Sequence, residues 1–228
     1  MATEFPPAGK DPAAATKLQI LVTEHWSLLA TRALTYTESL GRVNMFLGIL
    51  SGAVIALALV AQADRFGATF IAVAIFMLTV VLFAGIATVG RLNMLNRDDY
   101  RWVIGMNRLR HAYLEMHPDL EQNFMTSPYD DLPGALQTLG IEPSGIRRFG
   151  SLFYSLVTLP GMLAVIVAAV AGAIGGLAAV GFGAPIELVL AAGATAFVIA
   201  LVLLNNWGGG FVRNLTPSLE PRFPTPKK

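Results

Sequence analysis

Four long stretches of this chain carry almost no charge, and nearly all of its lysines and arginines lie to one side of them. Residues 43–63 hold no charged side chain, and as a helix they would extend about 32 Å, enough to cross a hydrocarbon core of about 30 Å. Residues 66–90 are equally free of charge. Because only Asp64 and Arg65 separate the two stretches, we expect an antiparallel hairpin of two membrane-spanning helices.

The second half of the chain predicts another pair of spans. The 38 uncharged residues that precede Glu187 are too many for one crossing. Pro160 lies among them, so we expect an interfacial or kinked entry at 149–159 and a third crossing at 161–181. The fourth crossing runs from about 186 to 206. Glu187 suits its first turn, where a carboxylate meets the positive end of the helix dipole.

The positions of lysine and arginine predict the orientation. Fifteen of the 16 lie before the first span, between the second and third, or after the fourth, and only Arg65 lies on the other side. Positively charged residues are enriched in the cytoplasmic segments of membrane proteins. We therefore expect a multi-pass protein of the plasma (cytoplasmic) membrane with both termini in the cytoplasm, and the lipid bilayer as its first partner.

The predicted fold is all-α: an integral membrane protein with four transmembrane helices as two antiparallel hairpins, plus cytoplasmic helical extensions. Gly208–Gly210 predicts a helix stop after the fourth span, and the proline-rich ends predict disorder. In chain order the predicted segments are a disordered N-terminus, a cytoplasmic amphipathic helix, the first hairpin, a cytoplasmic helix and loop, the second hairpin and a disordered cytoplasmic tail: 1–14, 15–42, 43–90, 91–148, 149–207 and 208–228.

Two apolar stripes with heptad-like spacing flank the first hairpin. The first comprises Val22, Trp26, Leu29, Ala33, Tyr36 and Leu40. The second comprises Leu92, Leu95, Asp99, Trp102, Met106, Leu109, Tyr113 and Met116. It follows span two without a break, which predicts one long helix that ends at Pro118. We expect the stripes to face each other, although an oligomer seam, or a first helix that lies on the membrane surface, would also use them.

From these stripes we predict a cytoplasmic interaction surface of Trp26, Leu29, Tyr36, Trp102, Met106, Leu109 and Tyr113. Small residues predict a second kind of contact, because small side chains at every fourth position let helices approach closely in lipid. The predicted helix-packing or oligomer interface consists of Asn44, Gly48, Gly52, Ala56, Ala168, Gly172 and Gly176. Either the same chain or another copy could supply the opposing helix.

Little in the sequence points to chemistry. The chain has no cysteine, and its spans hold no ionisable side chain at membrane depth, which argues against a proton-coupled pump. The adjacent Asp130 and Asp131 could bind a metal, but a solvated turn or a helix cap is the commoner use of such a pair. His111 and Glu115, four residues apart, indicate a surface hydrogen bond. We predict no catalytic residue, metal or cofactor, and the net charge of +1 argues against a nucleic-acid partner.

Three functions stay open at this point. The first is a structural, interaction or signalling component with a cytoplasmic helical docking surface, which would work through self-association or a protein partner. The second is a homo-oligomeric channel or pore, since uncharged spans line a pore only by assembly. The third, an enzyme or transporter with a buried small-molecule site, is the least favoured because the spans hold no charge.

Overall fold

The computed structural model describes residues 12–141, 158–215 and 220–226. In order, the helices are α1 (Pro12–Asp64), α2 (Ala68–Met116), a 3₁₀ helix (Pro118–Asn123), α3 (Leu132–Thr138), α4 (Leu159–Gly181) and α5 (Ile186–Leu215). These described residues contain no strand. Four helices, α1, α2, α4 and the Ile186–Trp207 part of α5, are long and apolar enough to cross a membrane. The all-helical class and the four candidate spans are therefore confirmed.

The chain divides into two compact units. The polar unit comprises residues 12–36, 98–141 and 220–226, and the apolar unit comprises residues 37–97 and 158–215. Helices α1 and α2 each contribute residues to both units. The prediction that span two runs on as one long helix is confirmed, because α2 ends at Met116, just before Pro118.

The apolar unit has a core of branched and aromatic side chains. Phe46, Val89, Leu163 and Val167 are almost completely buried there. Gly85 admits this packing, because a Cβ at its position would lie 2.6 Å from Cγ2 of Val167. Two threonine hydroxyls on α2 are satisfied within that helix. Those of Thr79 and Thr88 donate to the carbonyls of Ile75 and Ala84, each at 2.7 Å.

Helices α4 and α5 approach each other at backbone distance. A Cβ on Gly172 would lie 3.0 Å from the carbonyl oxygen of Gly193. One on Gly175 would lie 2.8 Å from Cβ of Ala196 and 3.0 Å from the carbonyl oxygen of Ala192. Small residues on both helices are what permits this separation, as expected for helices that pack within lipid.

Capping residues set the helix ends. The Oδ2 of Asp64 accepts a hydrogen bond from the backbone N–H of Phe70 at 2.7 Å, which satisfies a free donor in the first turn of α2. Thr158 is the N-cap of α4, and its hydroxyl accepts from the N–H of Gly161 at 3.3 Å. Pro160 therefore lies in the first turn, where a proline is tolerated, and does not kink the spanning helix.

Several predicted boundaries differ from the structure. Helix α1 begins at Pro12, within the predicted disordered N-terminus, since proline fits the first turn of a helix. Helix α5 continues through Gly208–Gly210 to Leu215, inside the predicted disordered tail. The predicted entry to the third span at 149–157, and the chain ends at 1–11 and 227–228, lie outside the described residues.

Substitution of glycine by leucine should separate the packed from the exposed glycines of the apolar unit. Gly175→Leu places a Cβ against Ala196 and should destabilise the protein by about 1–3 kcal/mol through overpacking. Gly41→Leu is the matched control, because a Cβ there meets no atom within 4 Å among the described residues. Thermal unfolding of both variants in detergent should show a lower midpoint for Gly175→Leu alone. An equal loss in both would contradict the packing described here.

Candidate functional site

A buried carboxylate in the polar unit binds the tail segment, residues 220–226. The side chain of Asp130 is 0% exposed. Its Oδ2 accepts from the backbone N–H of Arg222 at 2.9 Å, and its Oδ1 accepts from that of Phe223 at 2.8 Å. The N–H of Asp130 donates to the carbonyl of Phe223 at 3.1 Å. Nε of Arg108 completes the site, 2.7 Å from Oδ2 of the carboxylate.

These donors keep Asp130 ionised. Burial by itself would raise the pKa of this carboxyl, since a low-dielectric surrounding disfavours the charge. The N–H of Arg222, the guanidinium of Arg108 and the N–H of Phe223 outweigh that effect, and the pKa lies below its usual value of 3.8. Without the tail segment, two of the three donors to this buried charge would be lost. The negative charge of Asp130 and the binding of the tail segment therefore stabilise each other.

Asp131 binds the next part of the tail segment and caps a helix. Its Oδ2 accepts from the N–H of Thr225 at 2.8 Å, and its Oδ1 accepts from the hydroxyl of Thr225 at 2.7 Å. The same Oδ1 accepts from the N–H of Gly134 at 3.0 Å, which makes Asp131 the N-cap of α3. The helix cap predicted for the acidic pair is confirmed at Asp131, whereas Asp130 is not solvated.

Helix α2 provides the other wall of the tail site. The His111 ring stacks on Phe223 with a centroid distance of 3.9 Å and an interplanar angle of 22°. Nη2 of Arg108 donates to the carbonyl of Glu220 at 3.3 Å. Nε2 of His111 and Oε1 of Glu115 are 3.7 Å apart, longer than the predicted hydrogen bond. We call Arg108, His111, Asp130 and Asp131 the tail clasp.

An amide on α2 holds the loop that carries the clasp. Asn107 is completely buried, and its Nδ2 donates to the carbonyl of Tyr129 at 2.7 Å. Its Oδ1 accepts from Nη1 of Arg110 at 2.7 Å and from the hydroxyl of Thr138 at 2.9 Å. The amide therefore connects α2, the residue before Asp130, and α3. Such a fully satisfied buried network favours a single arrangement of the loop.

Within the polar unit, α1 packs on α2 through polar and small residues. Nε and Nη2 of Arg32 bind the two oxygens of Asp99 at 2.6 and 3.0 Å. Leu28 lies over Gly105, where a Cβ would be 3.1 Å from its Cδ1. Asp99, which interrupts the predicted stripe on α2, is thus the partner in a bidentate ion pair, the geometry that gives arginine its specificity.

His25 lies on the same face of α1. Its ring centroid is 6.0 Å from that of Tyr113. Burial, and then the positive charge of Arg110, lower the pKa of His25 below 6.5. The imidazole is therefore mainly neutral near pH 7 and packs as a weakly polar ring.

The two predicted stripes do not face each other. The packed face of α1 carries His25, Leu28 and Arg32, whereas the predicted stripe follows it by one residue, a rotation of about 100°. Trp26 and Tyr36 are each 66% exposed, and Leu29 is 40% exposed. The Arg32–Asp99 ion pair and the space over Gly105 determine which face of α1 packs on α2. The spacing of apolar residues carries no information about either contact, so the prediction chose the wrong face.

On α2 the predicted stripe lies in the interior. Met106 is buried, and Trp102, Leu109 and Tyr113 are half-buried. Met106 therefore lies on no outer surface, and among the predicted interaction residues the strongly exposed ones all lie on α1.

The small-residue positions also separate into two groups. Ala168 is completely buried, and Gly172 packs against Gly193 of α5. A Cβ on Gly176 would lie 3.8 Å from Val189. In contrast, Asn44, Gly48 and Gly52 are exposed, and Ala56 is half-buried. The span-three group thus packs within the chain, and most of the span-one group faces outward from the described part of the apolar unit.

The described residues contain no group of three or more histidine, aspartate or glutamate side chains that could hold a metal ion. No family model, curated protein or solved structure matches the chain. Two surfaces of the described residues bear on function: the tail clasp and the exposed face of α1.

Replacement of Asp130 by asparagine should release the tail segment. The amide presents N–H groups where the carboxylate accepts, so hydrogen bonds to a charged acceptor, worth about 2 kcal/mol, are lost. Trypsin cleavage between Arg222 and Phe223 in the detergent-purified chain should then be roughly 30-fold faster, because cleavage follows the open population. Asp119→Asn, at an exposed position, is the control. Equal rates in both variants would contradict the clasp, and slow cleavage within α2 would show that the unit stays folded.

Proposed function

We propose that the chain is a multi-pass protein of the plasma membrane that acts as an interaction or signalling component. Its four spans form two antiparallel hairpins, and its polar unit lies in the cytoplasm and provides the docking surface. The lysine and arginine distribution supports this orientation, since 15 of 16 lie on one side of the spans. The bilayer is the solvent of the apolar unit, whose large exposed side chains, such as Phe76, Phe83 and Leu59, are apolar.

The observation that carries the proposal is the exposed face of α1 in the polar unit. Val22, Trp26, Leu29 and Tyr36 line this face. Their combined exposed area is on the order of 500 Å², about what one partner buries in a small specific interface. The largest apolar patch on a typical soluble monomer is roughly 300–600 Å² and is often functional, so a patch of this size indicates a binding surface.

Binding fits the polar unit better than catalysis does. Asp130 and Asp131 are saturated by the tail segment and by α3, and Asn107 is saturated by its own neighbours. Arg108 and Arg32 are held by carboxylates. A catalytic group must reach the proton or the carbon atom on which it acts, and each of these groups is instead committed to holding the fold.

A photo-reactive amino acid at Trp26 should capture protein in intact membranes. We expect an adduct of higher mass from position 26 and none from position 125. Met125 is the matched control because it is also apolar and is 96% exposed, but it lies outside the α1 face. Lipid adducts alone at position 26 would overturn the proposal, and equal protein capture at both positions would show that α1 has no special role.

A homo-oligomeric pore is the second candidate. Asn44 on α1 favours it, because this amide is exposed in the apolar unit beside Gly48 and Gly52, and mildly polar spans can line a channel once several copies assemble. For a pore, liposomes that contain the purified protein should release a trapped ion, and Asn44→Leu should reduce the flux. Absence of flux from an assembled, correctly inserted sample would exclude the pore and leave the interaction component.

A further inference from the structure

We infer that the partner of the α1 face is a second copy of this chain, with the two α1 helices side by side and parallel. This inference rests on the proposed function and names its partner. The exposed side chains recur with the spacing that lets one helix pack on an identical one. If Trp26 occupies position a of a heptad, then Val22, Leu29 and Tyr36 occupy successive d positions, the positions that form a coiled-coil seam.

The flanks of this seam permit identical helices to meet. Thr23 and Ala30, at the e positions, carry no charge. His25 and Arg32, at the g positions, are turned towards their partners on α2, and a carboxylate already neutralises the arginine. Glu24 lies at f, the position farthest from the seam. Two identical helices therefore bring no unpaired like charges together, which is the usual barrier to self-pairing.

The exposed area fits a pair of copies. A two-fold interface uses the same patch on both partners. An exposed area on the order of 500 Å² from each copy would bury about 1,000 Å² in total, about the size that a specific interface must reach. A smaller or more polar face would favour a transient partner instead.

The membrane selects the parallel arrangement. Two copies inserted with the same topology present α1 in the same direction, so the two-fold axis that relates them is normal to the bilayer. An antiparallel pair of α1 helices would require the two copies to have opposite orientations, which the one-sided lysine and arginine distribution opposes.

Cysteine cross-linking of the full chain in native membrane vesicles tests this inference. The chain has no cysteine, so Leu29→Cys and Tyr36→Cys each introduce a single thiol on the seam. Both should give a disulfide-linked dimer roughly ten-fold faster than Glu24→Cys, because only seam positions come within the Cβ separation of about 4 Å that a disulfide needs. These positions are exposed, so the substitutions leave the packed face unchanged.

The possible results separate this inference from the proposed function. Dimers from both seam variants and few from Glu24→Cys would support the parallel pair. A dimer from only one seam variant would overturn the parallel arrangement. A disulfide to a protein of different mass would overturn the inference while the proposed function stands. Monomers from both variants, with no protein adduct from the photo-reactive residue at position 26, would overturn both.

Discussion

The hydrocarbon around the apolar unit is the constraint on which the rest of the structure depends. No water is present there to satisfy a free backbone N–H or carbonyl, so a chain of this composition must cross as complete helices. Even threonine hydroxyls follow this rule, since Thr79 and Thr88 donate to carbonyls of their own helix. Apolar burial contributes little to association in this medium, and close backbone packing, as between Gly172 and Gly193, takes its place.

The polar unit is held together by different interactions. Arg32 of α1 forms an ion pair with Asp99 of α2. Asn107 of α2 donates a hydrogen bond to the carbonyl of Tyr129, in the loop that carries the tail clasp. Most buried polar groups there have a partner, because an unsatisfied one would cost about 1–3 kcal/mol, although Nδ1 of His25 and Nε1 of Trp102 have none among the described residues. Their mutual ion pair lets Arg32 and Asp99 lie at positions where an apolar pattern would place only hydrophobic residues.

The sequence predicted the features that follow from hydropathy, capping and helix-breaking residues. Examples are the four spans, the uninterrupted α2, the end of α2 before Pro118 and the cap at Asp131. It did not predict which face of α1 packs, because that choice depends on a single long-range pair, Arg32 with Asp99. Nor did it predict the bound tail segment: proline content indicated disorder, whereas binding depends on Asp130, which is distant in sequence.

The tail clasp shows how a segment with little apolar content becomes ordered. Asp130 binds it mainly through the backbone amides of Arg222 and Phe223, so the carboxylate recognises the backbone of the segment more than its side chains. The stacking of Phe223 on His111 and the hydrogen bond from Thr225 to Asp131 then fix which residues of the segment occupy the clasp. Because the clasp uses α2, α3 and the loop between them, it leaves the α1 face out of its contacts. Saturation of the clasp by this segment is the reason to look to α1, and not to the acidic pair, for the binding surface.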